Sequence, residues 1–159
     1  MDATEPAKVQ VINHQRRLGI DQNAVARFCV DLLQTLKQSN RMLSVVFVGR
    51  RRMKTLNRRY LDRDYATDVL SFSYGEAKME GSDFLGEIII CPEVAVQNAL
   101  RYRTNPQREL WKLLIHGLLH LLGYDHEADR GIMNRFQARL LGRKDFSRTK
   151  MLVDIKTHR

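Results

Sequence analysis

Apolar residues recur along this chain with two different periods, and the changes of period mark its elements. Lys8–His14 alternates apolar and polar positions, which predicts an edge strand. From Asp21 to Lys37 the spacing lengthens, and Val25, Phe28, Leu32 and Leu36 fall on one stripe of an amphipathic helix. Leu43–Val48 is a short, β-branched apolar run, the mark of a buried strand. A helix over 50–61 follows, with Met53, Leu56 and Tyr60 as its apolar stripe, and then a loop carrying Asp62 and Asp64. Asp68–Tyr74 and Gly86–Cys91 are two more expected strands. The polar stretch Gly75–Asp83 between them is long for a tight hairpin and reads as a loop. A helix from about Glu93 to Tyr102 comes next.

The pattern then changes character. Leu110 to Leu122 is apolar nearly all round, the mark of a helix central to its domain. Thr104-Asn105-Pro106 supplies its start, since either Thr104 or Asn105 can cap and proline suits the first turn. Its one polar strip, by helical projection, holds Glu109, Lys112, His116 and His120. A last helix, about Glu127 to Leu141, is expected to use Ile132, Met133, Phe136 and Leu140 and to stop at Gly142. Arg143–Arg159 is basic and weakly apolar, either with a short strand at Met151–Ile155 or as a loose tail. The order of elements predicts an α+β fold: a small mixed sheet of about four strands with about five helices, the histidine-bearing helix central. Residues 1–142 are expected to form one metal-hydrolase domain and 143–159 a basic C-terminal tail.

Composition changes this picture little, and charge changes it more. The 159 residues, 43% hydrophobic and 28% charged, describe an ordinary globular chain. No apolar run approaches the eighteen or so residues of a membrane span, and the start, with acids at Asp2 and Glu5, resembles no signal or transit peptide. Cys29 and Cys91 lie far apart in apolar settings and read as buried free thiols of a reducing compartment, so a cytoplasmic location is expected. The net charge of +9 makes a polyanion a plausible partner. Arg50, Arg51, Arg52, Lys54, Arg58, Arg59 and Arg63 lie within fourteen residues. On a helix, Arg51, Lys54 and Arg58 face away from the apolar stripe while Arg52 and Arg59 flank it. Such a face either contacts phosphate or is merely solvated.

The candidate chemistry lies in His116-Gly-Leu-Leu-His120-Leu-Leu-Gly123-Tyr-Asp-His126, where three of the five histidines fall within eleven residues. Residues four apart share a helix face, so His116 and His120 can address one ion. Gly123 can take positive φ, end the helix and let the chain bring His126 to that ion from outside. Three neutral imidazoles leave the fourth tetrahedral position of a Zn²⁺ ion open for water, the catalytic arrangement. His14 and His158 have no such pattern and read as an ordinary strand residue and a tail residue.

The spacing matches the metzincin protease pattern except at one position. Those proteases place a glutamate directly after the first histidine as general base, and here that position is Gly117. A peptidase mechanism of that kind has no base.

The same residues resemble a different family. His116-Gly-x-Leu-His120-Leu-x-Gly123-Tyr-Asp125-His126 is similar to the signature of the YbeY family, metal-dependent endoribonucleases of ribosomal RNA maturation. Thr67-Asp68-Val69-Leu70-Ser71-Phe72 resembles that family's T-D-V-L-S-F strand, and Leu85-Gly86-Glu87-Ile88-Ile89-Ile90-Cys91 its L-G-D-I-x-I-x segment. The resemblance runs from about residue 43 to 141 and implies an α+β fold. It implies a zinc-dependent, single-strand-specific endoribonuclease acting in 16S rRNA 3′-end maturation and ribosome quality control. The implied partners are ribosomal RNA and the small ribosomal subunit, with a ribosomal protein or a GTPase to position the chain, and neither DNA nor a membrane. Two positions depart from the family. Leu61 stands where an arginine usually follows the tyrosine of N-x-x-Y-R, so Arg59 or Arg63 is left to supply a guanidinium, and Arg59 is the candidate substrate contact. Ala66 replaces a proline often found before the T-D-V strand.

The remaining candidates each carry two readings. Asp125 either orients a ligand or shuttles a proton, or else serves the turn after Gly-Tyr. Asp68 and Ser71 either line the cleft or, for Asp68, cap the preceding turn. Glu87 is either a partner to a histidine ring or a surface strand carboxylate. No catalytic residue beyond the metal ligands is assigned. For RNA, either activated water or the ribose 2′-OH attacks phosphorus, and the products differ. Two other functions remain open: an RNA-binding assembly factor with a mainly structural metal, and a metal-dependent hydrolase of another substrate.

Overall fold

The computed structural model describes residues 8–73, 83–125, 130–143 and 149–153. In chain order the elements are β1 (Lys8–Asn13), β2 (Gly19–Ile20), α1 (Gln22–Thr35), β3 (Met42–Phe47), α2 (Arg50–Leu61), β4 (Val69–Ser73) and β5 (Phe84–Ile90). They continue as α3 (Pro92–Arg101), α4 (Pro106–Leu121), α5 (Ile132–Leu141) and β6 (Leu152–Val153). Among the described residues this is the expected α+β architecture of five helices and a mixed four-stranded sheet, with a second, two-stranded ribbon of which the sequence pattern offered only the C-terminal strand.

The sheet has the order β1-β3-β5-β4. β1, β3 and β5 run parallel, and β4 pairs antiparallel with β5 at one edge. Alternation along each strand divides the side chains between two faces. On one face Leu43, Val45, Phe47, Ile88 and Ile90 join the buried residues of α1, α4 and α5 in the main core. On the other, Val46, Val48, Leu70 and Ile89 pack with Met53 of α2 and Val94 of α3. Both faces of the central strands are covered, which is why β3 and β5 read as near-continuous apolar runs.

Side-chain caps open two of the helices, α1 and α4. Asp21 accepts a hydrogen bond from the Ala24 amide at the start of α1, and Asn105 accepts one from the Gln107 amide at the start of α4. Asn105, not Thr104, is therefore the cap of α4. Two helix faces differ from their predicted stripes. In α2, Asn57 is fully buried and its amide donates to the Tyr65 carbonyl at 2.9 Å, while Tyr60 is 54% exposed. In α5, Ile132 is 52% exposed and Gln137 is buried between Met133 and Leu140 on the inward stripe. In both cases a polar side chain takes the interior place and bonds a polar atom there, although Asn57 Oδ1 is itself buried without a partner among the described residues.

The strand expected within Met151–Ile155 includes β6, which pairs antiparallel with β2. Met151 is fully buried in the main core, the Trp111 indole donates to the Thr149 carbonyl at 2.9 Å, and the Gln107 side chain bonds the backbone of Met151 and Leu152. The connection expected over Gly75–Asp83, His158, and the first residues of the helix expected from Glu127 lie outside the described residues, apart from Asp83. Among the described residues no helix is long and apolar enough to cross a membrane.

Candidate metal centre and its cleft

Helix α4 is buried on most of its circumference, from Leu110 to Leu121, and only its polar strip reaches a surface. His116 and His120 lie one turn apart on that strip, half-buried, with ring centroids 4.6 Å apart and planes crossed at 80°. Their Nε2 atoms stand 3.1 Å apart. Two nitrogens bound to one tetrahedral Zn²⁺ at ~2.0–2.1 Å lie about 3.3 Å apart. The pair thus has nearly the spacing of two ligands before any ion is added.

A residue that the sequence reading missed holds this geometry. Gln137 Oε1 lies 3.0 Å from His116 Nδ1. The tautomer of His116 protonated at Nδ1 would donate to this amide oxygen and leave the Nε2 lone pair toward His120. A polar partner on the outer nitrogen is the usual support of a metal-binding imidazole. The signal was a glutamine on the buried stripe of an otherwise apolar helix face.

Gly123 ends α4 as the spacing predicted. Its φ is +96°, its amide donates to the His120 carbonyl, and the Tyr124 amide reaches back to the Leu119 carbonyl. That pair of bonds is the Schellman cap, and it turns the chain away from the helix axis. The Tyr124 ring then packs on Phe136 of α5, 5.6 Å between centroids. Asp125 is exposed at this turn. His126 lies outside the described residues. Among the described residues no three His, Cys, Asp or Glu side chains gather as a metal-binding group.

Gly117, where a metzincin has its glutamate, faces the sheet. A Cβ built there would lie 3.0 Å from both Ser71 Oγ and Ile88 Cγ2. The position is a helix–sheet contact with no room for a base. Ser71 Oγ lies 3.4 Å from the Gly117 carbonyl, its acceptor, across the same contact.

The two histidines open onto a cleft of about 310 Å³, also lined by Leu61, Val69, Ser71, Phe72 and Ser73. Leu61, the position where the resemblance leads one to expect arginine, is on its lip and 49% exposed. Arg59 is exposed with its guanidinium 5.6 Å from the centroid of the Tyr60 ring, and Arg63 is exposed beyond the end of α2. Neither is among the described residues lining the cleft.

A smaller hollow beside His116 brings together Asp68, Glu109 and Lys112. Asp68 is held by the Asn98 amide and the Thr67 hydroxyl, each at 3.4 Å. Burial pushes the Glu109 carboxyl up from its usual range, with Asp68 adding to the rise and Lys112 opposing it. Glu87 is elsewhere. It pairs in register with Phe72 and faces the α2 side of the sheet, so it is no partner to these histidines. The two thiols are also remote from the pair. Cys29 is buried in the main core and its thiol is pushed up to about 12 by burial, while Cys91 precedes α3 on the α2 side.

A family model described as endoribonuclease YbeY matches residues 10–144 of the chain. The chain belongs to the YbeY family. It is 38% identical to the endoribonuclease YbeY of Thermodesulfovibrio yellowstonii over 134 residues, 76% of this chain and 84% of that one. It is 38% identical to the endoribonuclease YbeY of Finegoldia magna over 133 residues, 79% and 86% of the two chains. The Staphylococcus aureus endoribonuclease YbeY is 38% identical over 148 residues, 84% and 91%. The solution structure of a Thermotoga maritima protein superimposes with a TM-score of 0.59 at 25% identity, covering 84% of this chain and 86% of that one. The segment matched by the YbeY model contains His116, His120, His126 and Gln137.

Proposed function

We propose that this YbeY-family chain is a zinc-dependent endoribonuclease that cuts single-stranded RNA during 16S rRNA 3′-end maturation and ribosome quality control in the cytoplasm. The observation that carries the metal site is the 3.1 Å approach of the His116 and His120 Nε2 atoms at the floor of a cleft. The endoribonuclease names of the relatives carry the RNA. In this reading a single domain, whose core also takes in Met151 and Leu152 rather than ending at residue 142, carries the site; His116, His120 and His126 hold one ion, and Gln137 keeps the His116 ring turned toward it. A zinc ion supplies Lewis-acid stabilisation of charge on a phosphoryl oxygen. The chain's own residues position the strand. The outward cations of α2, Arg51, Lys54 and Arg58, are placed to meet the RNA backbone, and Arg59 is the candidate contact beside the Tyr60 ring. The small ribosomal subunit is the proposed setting, with a ribosomal protein or a GTPase as positioning partner.

Cleavage of single-stranded RNA should vanish in His116→Ala and in chelated protein that both remain folded. Persistence of cleavage in both would overturn the reading. The ends of the fragments report the route: a 2′,3′-cyclic phosphate marks attack by the ribose hydroxyl, and a terminal monophosphate without a cyclic product marks attack by water.

One observation favours a second reading, an RNA-binding assembly factor. The cleft lip carries Leu61 rather than a cation, and among the described residues that line the cleft no lysine or arginine stands ready for a transition state. RNA binding that remains intact in His116→Ala, with no turnover in the unaltered chain, would select it.

A further inference from the structure

A second hollow lies on the opposite face of the sheet from the histidines. It is a groove of about 590 Å³ between α2 and the strands, within the range of roughly 300–1,000 Å³ typical of small-ligand sites. Its floor is a cross-strand row: Ile12 pairs with Val46 and Val46 with Ile89. Its helical wall is Arg52, Leu56 and Tyr60, spaced four apart on one stripe of α2. Glu87 and His14 complete it with polar atoms, His14 standing just past the end of β1. Neither Arg52 nor Glu87 forms an ion pair with a described residue, although both stand in the same hollow.

Phe72 and Ser73 border both this groove and the histidine cleft. They lie on β4, the edge strand, so the two hollows meet over the rim of the sheet. The Tyr60 ring meets the Phe72 ring edge-on, 5.0 Å between centroids, yet stays 54% exposed. An exposed aromatic face above an aliphatic floor stacks a nucleobase. A guanidinium and a carboxylate at the same place supply the donor and the acceptors that an unpaired Watson–Crick edge requires. A base inside a duplex has no such edge free.

We propose that this groove receives one unpaired base of the RNA strand whose backbone is cut at the histidine cleft, the strand crossing β4 at Phe72–Ser73. The proposal rests on the endoribonuclease reading and deepens it: a strand must be single to reach both hollows. The basic α2, with Arg51, Lys54 and Arg58 on its outer side, favours RNA as the occupant over an acidic-poor peptide or a second copy of this chain.

The test uses the full chain and a short single-stranded RNA that spans one cut position, with an abasic site moved through the flanking nucleotides. One abasic position should weaken binding to the unaltered protein about tenfold. Tyr60→Ala and the isosteric Glu87→Gln should weaken binding of intact RNA to a similar degree, raising KM rather than lowering kcat. In those variants that abasic position should cost little more, because the contact is already gone. Variants that bind and cleave intact RNA as the unaltered chain does would overturn the groove assignment and leave the endoribonuclease reading standing. An unaltered chain that neither binds nor cleaves the RNA would overturn both. Binding lost in the variants but independent of every abasic position would overturn a base contact as well.

Discussion

Gln137 shows how one side chain decides whether a histidine pair is a site. His116 and His120 were legible from their spacing, because four residues on a helix fix a common face. Their orientation was not legible, because it depends on a partner from α5, far along the sequence. The sequence did carry a trace of it: a glutamine between Met133 and Leu140 interrupts an apolar stripe, and a buried amide requires a polar neighbour. Asn57 carries the same kind of trace on α2, where it is fully buried while Tyr60 stays exposed. Gln137→Leu should preserve the fold and weaken zinc binding by about 10–100-fold, read by competition with a chelating dye. Unchanged affinity would remove Gln137 from the account of the metal site.

At the scale of elements, α4 was the most legible part of the chain. Its all-round apolar surface, its start at Thr104-Asn105-Pro106 and its Gly123 stop were readable from residue types, while the choice of Asn105 over Thr104 as cap was not. What the pattern could not reveal was which neighbour each side would meet. Gly117 appeared in the sequence as a missing base, and the structure makes it a point of close approach between α4 and the sheet. Gly117→Glu therefore should not create a peptidase. It should bury a carboxylate and overpack Ser71 and Ile88, costing on the order of 3 kcal/mol or more. That corresponds to a fall in Tm of roughly 10 °C in a chain of this size. A variant that melts with the unaltered chain would contradict this packing.

For the whole molecule, the sheet order and the β2–β6 ribbon were beyond the sequence. Strands of two residues have no period to detect, and their pairing joins segments more than a hundred residues apart. The ribbon matters because it brings Met151 and Leu152 into the main core, beside the foot of α4. Ending the chain at residue 148 should lower stability by about 3–6 kcal/mol, the burial of two large apolar side chains, seen as an earlier urea midpoint. An unshifted midpoint would mean that the ribbon carries no stability. The net charge of +9 belongs to the same scale, and RNA affinity should accordingly fall as salt rises. The central claim is that the chain's histidines hold one ion on which RNA cleavage depends. Its most direct test is a titration of metal-free protein with Zn²⁺ while RNA cleavage is followed. The account predicts activity that climbs from zero and levels off at one ion per chain, with His120→Ala flat throughout. Full cleavage before any metal is added, or the same rise in His120→Ala, would contradict it.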